Sequence, residues 1–478
     1  MNTRKSSALP SDAGAKVARI AIPVSFEFTL VLGLTFINQV VVGGLGAVAV
    51  AAVGFVNAIN TIPLFFLGAL QVGAGVIVAR AHGGGHRTRI SRSVTLAVVI
   101  AVVSSALVAI PFVAFPEEIL RLAGASAEVS AAGSDYFAVI LSGLFAGVLG
   151  MVLASILRSS DRPRSPMVAT IIMVVLNIPL SIVLVYGWGP IPALGVVGAG
   201  YATLITSTIR AVTLLIQTYV VFDVANWLLP RNRKEFVSIV KPMIVLAVPM
   251  ALTSFSWTFG NFFYNVAVQQ LGDGALAALQ IVFSLSGVFI VASIGLGSAI
   301  TVLVGQAVGV SHPLLAKAWV DYILRIGVFT GIVFGVLFAL TALALPALFP
   351  EVTSDVLQWA TWGVLISAAI QPFAVRMLLY ASVLPSGNDT TGIIIGDFAG
   401  PYLAGLPVTL ILAFFTPLGA LGAFIGKGGE DILKLIIFGW RGDRIRWERV
   451  VQKHEDSLIV HGDPRTGPIT VVAQGPLE

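Results

Sequence analysis

Residues 20–52 read IAIPVSFEFTLVLGLTFINQVVVGGLGAVAVAA. About 20 apolar residues cover roughly 30 Å of hydrocarbon as a helix, so the run is long enough to cross a bilayer. It nevertheless contains Glu27 and Asn38. A carboxylate at membrane depth costs on the order of 3 kcal/mol unless it faces a cavity or a partner. The pattern returns later in the chain, where Val248, Pro249 and QLGDGALAALQ repeat Ile22, Pro23 and GLGAVAVAAVG. Pro23 to Gly46 and Pro249 to Gly272 are both 23 positions, and Gly46 to Gly83 and Gly272 to Gly309 are both 37, so one offset of 226 relates three landmarks. The chain is a tandem duplication.

Composition agrees with the opening stretch. Of 478 residues, 57% are hydrophobic and 11% charged, and the mean hydropathy is +0.96. A soluble fold of this length needs far more surface charge. The apolar runs are of helical bilayer length and lack the alternation of a membrane barrel strand. The expected fold is therefore an all-α polytopic membrane protein with no soluble catalytic domain. The chain has no Cys, which excludes disulfides, thiolate metal sites and Cys nucleophiles. No His falls at metal-ligand spacing inside a span, so no metal site is expected. ARAHGGGHR lacks the spacing and the Lys of a phosphate-binding loop, and no cofactor or enzymatic chemistry is expected.

Hydropathy predicts twelve spans, near 18–42, 48–79, 93–115, 132–156, 167–188, 196–222, 243–268, 275–307, 319–345, 357–384, 392–415 and 418–440. Basic residues collect in alternate loops, among them Arg87, Arg89 and Arg92, then Arg158, Arg162 and Arg164, then Arg231, Arg233, Lys234 and Lys241. By the positive-inside rule these loops and both termini are cytoplasmic. The net charge of +5 is explained by those loops rather than by nucleic acid. The predicted organisation is a cytoplasmic tail over 1–17, an N-lobe over 18–222, a basic linker over 223–242, a C-lobe over 243–440 and an unstructured cytoplasmic tail over 441–478. Six spans per half make the halves parallel repeats, with the cleft between them as the expected binding region.

The motifs IAIP, GGLGAVAVAAVG, ARAHGG, LRSSDRP, NIPL with VYG, and LGVVGAGYAT in the first half resemble the N-lobe of the multidrug and toxic compound extrusion (MATE) transporters. AVP at Ala247, LGDGALAALQI at Leu271 and LVGQAVG at Leu303 resemble the C-lobe, and the resemblance spans residues 18–440. It implies a secondary active antiporter of the bacterial or archaeal inner membrane, acting as a monomer among lipids. Such a protein exports organic, cationic or amphiphilic small molecules by alternating access on a proton or Na⁺ gradient. Three positions depart from that family: Asn38 stands where many members carry an Asp, and the acidic positions of the seventh and tenth spans fall near Trp257 and Ala374. Glu27 matches a Glu that some members carry after the first-span Pro. The alternatives are a lipid-linked saccharide flippase of the wider superfamily and a transport-inactive membrane sensor.

The candidate ion-coupling or substrate residues are Glu27, Asn38, Asp397 and Arg376. Glu27 lies about 12 Å into its helix at 1.5 Å per residue, where it can hold Na⁺, a proton or a cationic substrate, or else pair with Arg210. Asn38 can ligate Na⁺ but cannot titrate. Asp397 and Arg376 lie at similar depth and are expected either to pair or to form a releasable protonation site. In the last span, Lys427 with Asp431 and Glu430 with Lys434 stand four apart, a spacing that pairs charges along a helix. Asn177, Arg210, Trp257, Asn261 and Gln280 are candidate cavity residues, with Trp257 able to stack on flat cations. Pro23 and Pro249 interrupt helical hydrogen bonding and are candidate hinges.

Overall fold

The computed structural model describes residues 9–350 and 352–459, and among them the chain is helical, with only an isolated bridge between Trp188 and Ile191. Eleven helices are long and apolar enough to cross a membrane: α1 (Ala13–Gly43), α2 (Val48–Gly83), α3 (Arg87–Ala114), α4 (Gly133–Ser159), α5 (Arg164–Tyr186), α6 (Val196–Val221), α7 (Arg233–Gln269), α8 (Asp273–Gly309), α9 (Pro313–Thr341), α10 (Ser354–Ser386) and α11 (Thr390–Phe415). The twelfth helix, α12 (Ala420–Gly442), packs against α10 and α11 and carries Lys427, Glu430, Asp431 and Lys434. Its charges set it apart from the eleven. A thirteenth, α13, covers Trp447–Ile459.

Three landmarks of the duplication have visible causes. Gly46 and Gly272 take φ of 100° and 105° at the turns that follow α1 and α7, a region that L side chains avoid. Gly83 and Gly309 close α2 and α8, where a Cβ on Gly83 would strike the backbone of Gln306 and one on Gly309 would strike the carbonyl of Arg80. The halves therefore cross at equivalent points, backbone against backbone. Pro23 is buried inside α1 and Pro249 lies inside α7, and both helices continue through them.

The lobes, α1–α6 and α7–α12, meet mainly at the end that carries the basic loops. There α2 packs along α8 and α1 packs on both α5 and α8, and Ser25 Oγ donates to the Val291 carbonyl at 3.3 Å. Arg80 Nη2 donates to the Ser386 carbonyl at 2.8 Å and to Asn388 Oδ1 at 3.1 Å. Gln306 Nε2 donates to Asp161 Oδ1 at 3.0 Å, while His82 Nε2 lies 3.1 Å from Asp161 Oδ2. The hydrogen bond from His82 holds the Asp161 carboxyl below its ordinary pKa.

Three boundaries differ from expectation. The first helix begins at Ala13 rather than at residue 18, because the polar turn before Ile20 is itself helical. Within the segment expected as a basic linker, helix α7 begins at Arg233, and the stretch before it is tied to α3: Ser91 Oγ accepts from Asn226 N at 2.9 Å and Thr95 Oγ1 from Leu228 N at 3.2 Å. Arg92 pairs with Glu235. The tail after residue 441 is not wholly without structure. In α13, Trp447, Val450, Val451 and His454 recur at helical spacing and are buried, so an apolar stripe docks it on α8 and α9. The rest of that tail, 460–478, and the start of the expected N-terminal tail, 1–8, lie outside the described residues.

Candidate functional site

A cavity of about 580 Å³ lies inside the N-lobe, lined by residues of α1, α2, α4, α5 and α6. Its lining comes from one lobe, whereas the cleft expected to bind substrate lies between the two. Glu27 forms the cavity floor. Its Oε2 accepts from Arg158 Nη2 and its Oε1 from Arg210 Nη2, each at 2.8 Å. Glu27 is 2% and Arg158 7% exposed. Arg210 Nε donates to Thr170 Oγ1 at 2.9 Å, and the Arg158 guanidinium lies 5.9 Å from the Phe28 ring centre.

The remaining wall is neutral and amphiphilic. Asn38, Asn177, Gln71, Tyr136, Thr203 and Ser207 contribute polar groups among aliphatic side chains such as Leu34, Val53 and Leu144. Asn177 Nδ2 donates to Thr206 Oγ1 at 2.9 Å, and Tyr136 Oη to Asn57 Oδ1 at 3.4 Å. Glu27 and Asn38, expected as ion-coupling or substrate residues, and Asn177 and Arg210, expected as cavity residues, thus line one cavity. Trp257, Asn261 and Gln280 are not in it. Trp257 is a surface residue of α7, Asn261 donates to the Trp257 carbonyl at 2.9 Å, and Gln280 Nε2 reaches Asn265 Oδ1 at 2.8 Å.

Sequence reasoning missed Arg158, which it assigned to a basic loop. α4 continues to Ser159, and the chain turns only at Asp161, whose φ is 61°. Arg158 is therefore in the last buried turn. A usable signal existed in the repeat itself, because LRSSDRP aligns with LPSGNDT and places Pro385 opposite Arg158. The basic residue belongs to one lobe only.

The C-lobe holds a second charged cluster. Lys434 Nζ lies 3.1 Å from Asp397 Oδ1 and 2.9 Å from Glu430 Oε1, and Lys427 Nζ lies 2.9 Å from Glu430 Oε2. The expected pairing of Glu430 with Lys434 is present, whereas Lys427 takes Glu430 rather than Asp431. Asp397 and Arg376 do not pair. Arg376 projects from α10 and lies over the Tyr380 ring at 5.7 Å, and the ammonium of Lys434 reaches Asp397 instead. The wide π-helical turn Gly400–Gly405 lets α11 close on that lysine, since a Cβ on Gly400 would lie 2.6 Å from Lys434 Cε. Such turns accompany special local demands.

Two repeats of six helices, a polar cavity at membrane depth and buried ion clusters define a membrane transporter. The MatE family model matches residues 23–183 and 249–411, and the chain belongs to that family of efflux transporters. It is 28% identical to the probable multidrug resistance protein NorM of Thermotoga maritima, over 88% of this chain and 91% of that protein. It is 25% identical to the multidrug resistance protein NorM of Vibrio cholerae, over 94% and 97%. The fold is shared with a MATE protein solved in complex with MaL6, at a TM-score of 0.84 and 20% identity over 92% of this chain and 97% of that one. It is also shared with a MOP superfamily transporter from Pyrococcus furiosus, for which a reversed polarity of the binding pocket has been described as suggesting a different function, at 0.84 and 20% over 94% and 99%.

Proposed function

We propose that the protein is a secondary active exporter of amphiphilic organic compounds in a bacterial or archaeal inner membrane, driven by a proton or Na⁺ gradient. The basic end and both termini face the cytoplasm, as the distribution of Arg and Lys in the loops supports. The single observation that carries the reading is the N-lobe cavity: its volume suits a drug-sized molecule, and its mixed wall suits an amphiphile. Contacts between the lobes at the basic end make this the state closed to the cytoplasm. Alternating access then requires Arg80, Gln306 and Ser25 to release their partners across the seam.

Coupling is assigned to the C-lobe. Both oxygens of Glu27 are occupied by guanidiniums, which leaves it poorly placed to hold a cation. Around Lys434, by contrast, three carboxylates (Asp397, Glu430 and Asp431) face two ammoniums (Lys427 and Lys434), an excess of one negative charge. An ion or proton taken up there changes the charge at the hinge-like π turn of α11.

The test is accumulation of fluorescein and rhodamine dyes in proteoliposomes under separately imposed proton and Na⁺ gradients. Accumulation under at least one gradient, collapsed by the matching ionophore and lost in Asp397→Asn with dye binding retained, is expected. Absence of gradient-dependent movement for every dye overturns the export reading.

A further inference from the structure

The N-lobe cavity contains one carboxylate, Glu27, and two guanidiniums, Arg158 and Arg210, so its lining carries one net positive charge. Glu27 is already shared between both cations. It has no free oxygen with which to attract an organic cation, and the positions near it that could have been acidic, Asn38 and Asn177, are neutral amides. One guanidinium charge of the lining is therefore left unbalanced, and a ligand carboxylate satisfies guanidinium geometry well.

From this we infer that the cavity selects amphiphilic organic anions bearing a carboxylate, in place of the cations implied by the family resemblance. The proposal rests on the export reading for its direction of transport, but the chemistry of the site stands by itself. A carboxylate entering the cavity meets the surplus guanidinium charge at the Glu27 floor, while its apolar body lies against Leu34, Val53 and Leu144. An organic cation meets the same surplus as repulsion. Tyr136, Asn38 and Ser207 supply neutral hydrogen-bonding groups above that floor for the middle of the molecule.

The test uses rhodamine B and its ethyl ester, which share one ring system and differ in a free carboxylate, with fluorescein as a fully anionic probe. Fluorescence polarisation on the full chain in detergent is expected to show rhodamine B and fluorescein binding at least roughly tenfold tighter than the ester. Arg158→Gln and Arg210→Gln, each of which leaves Glu27 one guanidinium, are expected to remove that preference with little change for the ester. Thr203→Asp keeps all three charged residues and adds a carboxylate to the wall, so it is expected to abolish the preference even if an arginine variant fails to fold. Equal or tighter binding of the ester by the wild-type protein overturns the proposal, as does a preference that survives Thr203→Asp. If the carboxylates bind preferentially but no gradient moves them, the site chemistry stands and the export reading falls. If the ester is moved best, export stands and this inference falls.

Discussion

The two lobes descend from one duplicated unit, yet they treat buried charge in opposite ways. The first keeps a hollow interior and places Glu27, Arg158 and Arg210 on its floor, with positive charge in excess. The second fills the corresponding space. Gly396 and Gly400 let α11 press on Phe438 and Lys434, Gly405 meets Tyr264 and Gly426 meets Thr409, and the charges form a packed chain from Asp397 through Lys434 and Glu430 to Lys427. A hollow lobe with a cationic floor can hold a ligand. A packed lobe with surplus carboxylate can change its charge state and, through helices as close as α11 and α12, change its shape. On the function proposed above, divergence of the repeats separates cargo from drive.

The largest effect that would break this comparison is expected at Glu27. Glu27→Ala removes the shared carboxylate and leaves two guanidiniums to repel each other at membrane depth, which should cost about 3 kcal/mol and appear as a lowered thermal unfolding midpoint in detergent. An unchanged midpoint would mean that the cavity already solvates both arginines fully. Lys434→Met comes next. Asp397 loses its cation, but Glu430 keeps Lys427, so a smaller loss of about 2 kcal/mol is expected, with carboxylate dye binding in the N-lobe unaltered. Loss of that binding would show that the lobes are not separable in this way.

The seam between the lobes yields a pH-dependent prediction. His454 of α13 is 6% exposed, and burial, with the positive charges of Arg80 and Arg89 and with His86 nearby, pushes its pKa down from 6.5 to about 3. Arg89 comes from the N-lobe and also donates to Ser457 Oγ at 3.3 Å, so α13 senses both halves. The docked helix keeps His454 neutral, whereas the undocked helix takes up a proton below 6.5. Docking is therefore fully stable above that pH and weakens as pH falls toward about 3, at about 1.4 kcal/mol per unit. At pH 5 the loss is about 2 kcal/mol, and amide exchange in Trp447–Ile459, corrected for intrinsic rate, should rise roughly thirtyfold. His454→Leu should flatten that dependence.

The membrane fold was legible because its determinants are local or periodic. Bilayer-length apolar runs, the Gly46 and Gly272 turns and the Gly83 and Gly309 crossings all leave marks at fixed spacing. The N-lobe site was partly legible for the same reason: Glu27, Asn38, Asn177 and Arg210 are polar residues that interrupt apolar spans, and an interruption is visible in one dimension. Arg158 was not, since it stands at a span's edge, where loop and last turn look alike until the helix end is known. The partner of Asp397 was misread because depth along a helix gives no azimuth. Arg376 and Lys434 both lie at suitable depth, and only the packing of α10, α11 and α12 decides which of them faces the carboxylate. The stripe of α13 is short and charged between its apolar positions, so it reads as tail until something is found for it to dock on.

The smallest expected effect tests that misreading directly. Arg376 lies on the surface of α10 with its guanidinium over Tyr380, and an exposed contact of this kind contributes about 0.5–1 kcal/mol. Tyr380 does not depend on it, because its hydroxyl donates to Asp443 Oδ1 at 2.7 Å and its ring is buried against Gly442. Arg376→Met should therefore lower the unfolding midpoint only slightly and leave both the gradient dependence of transport and its loss in Asp397→Asn unchanged. If Arg376→Met instead reproduced the Asp397→Asn defect, the cluster that drives transport would extend from α12 across to α10, and the packed lobe would contain two competing cations for one carboxylate rather than the single lysine that now holds it.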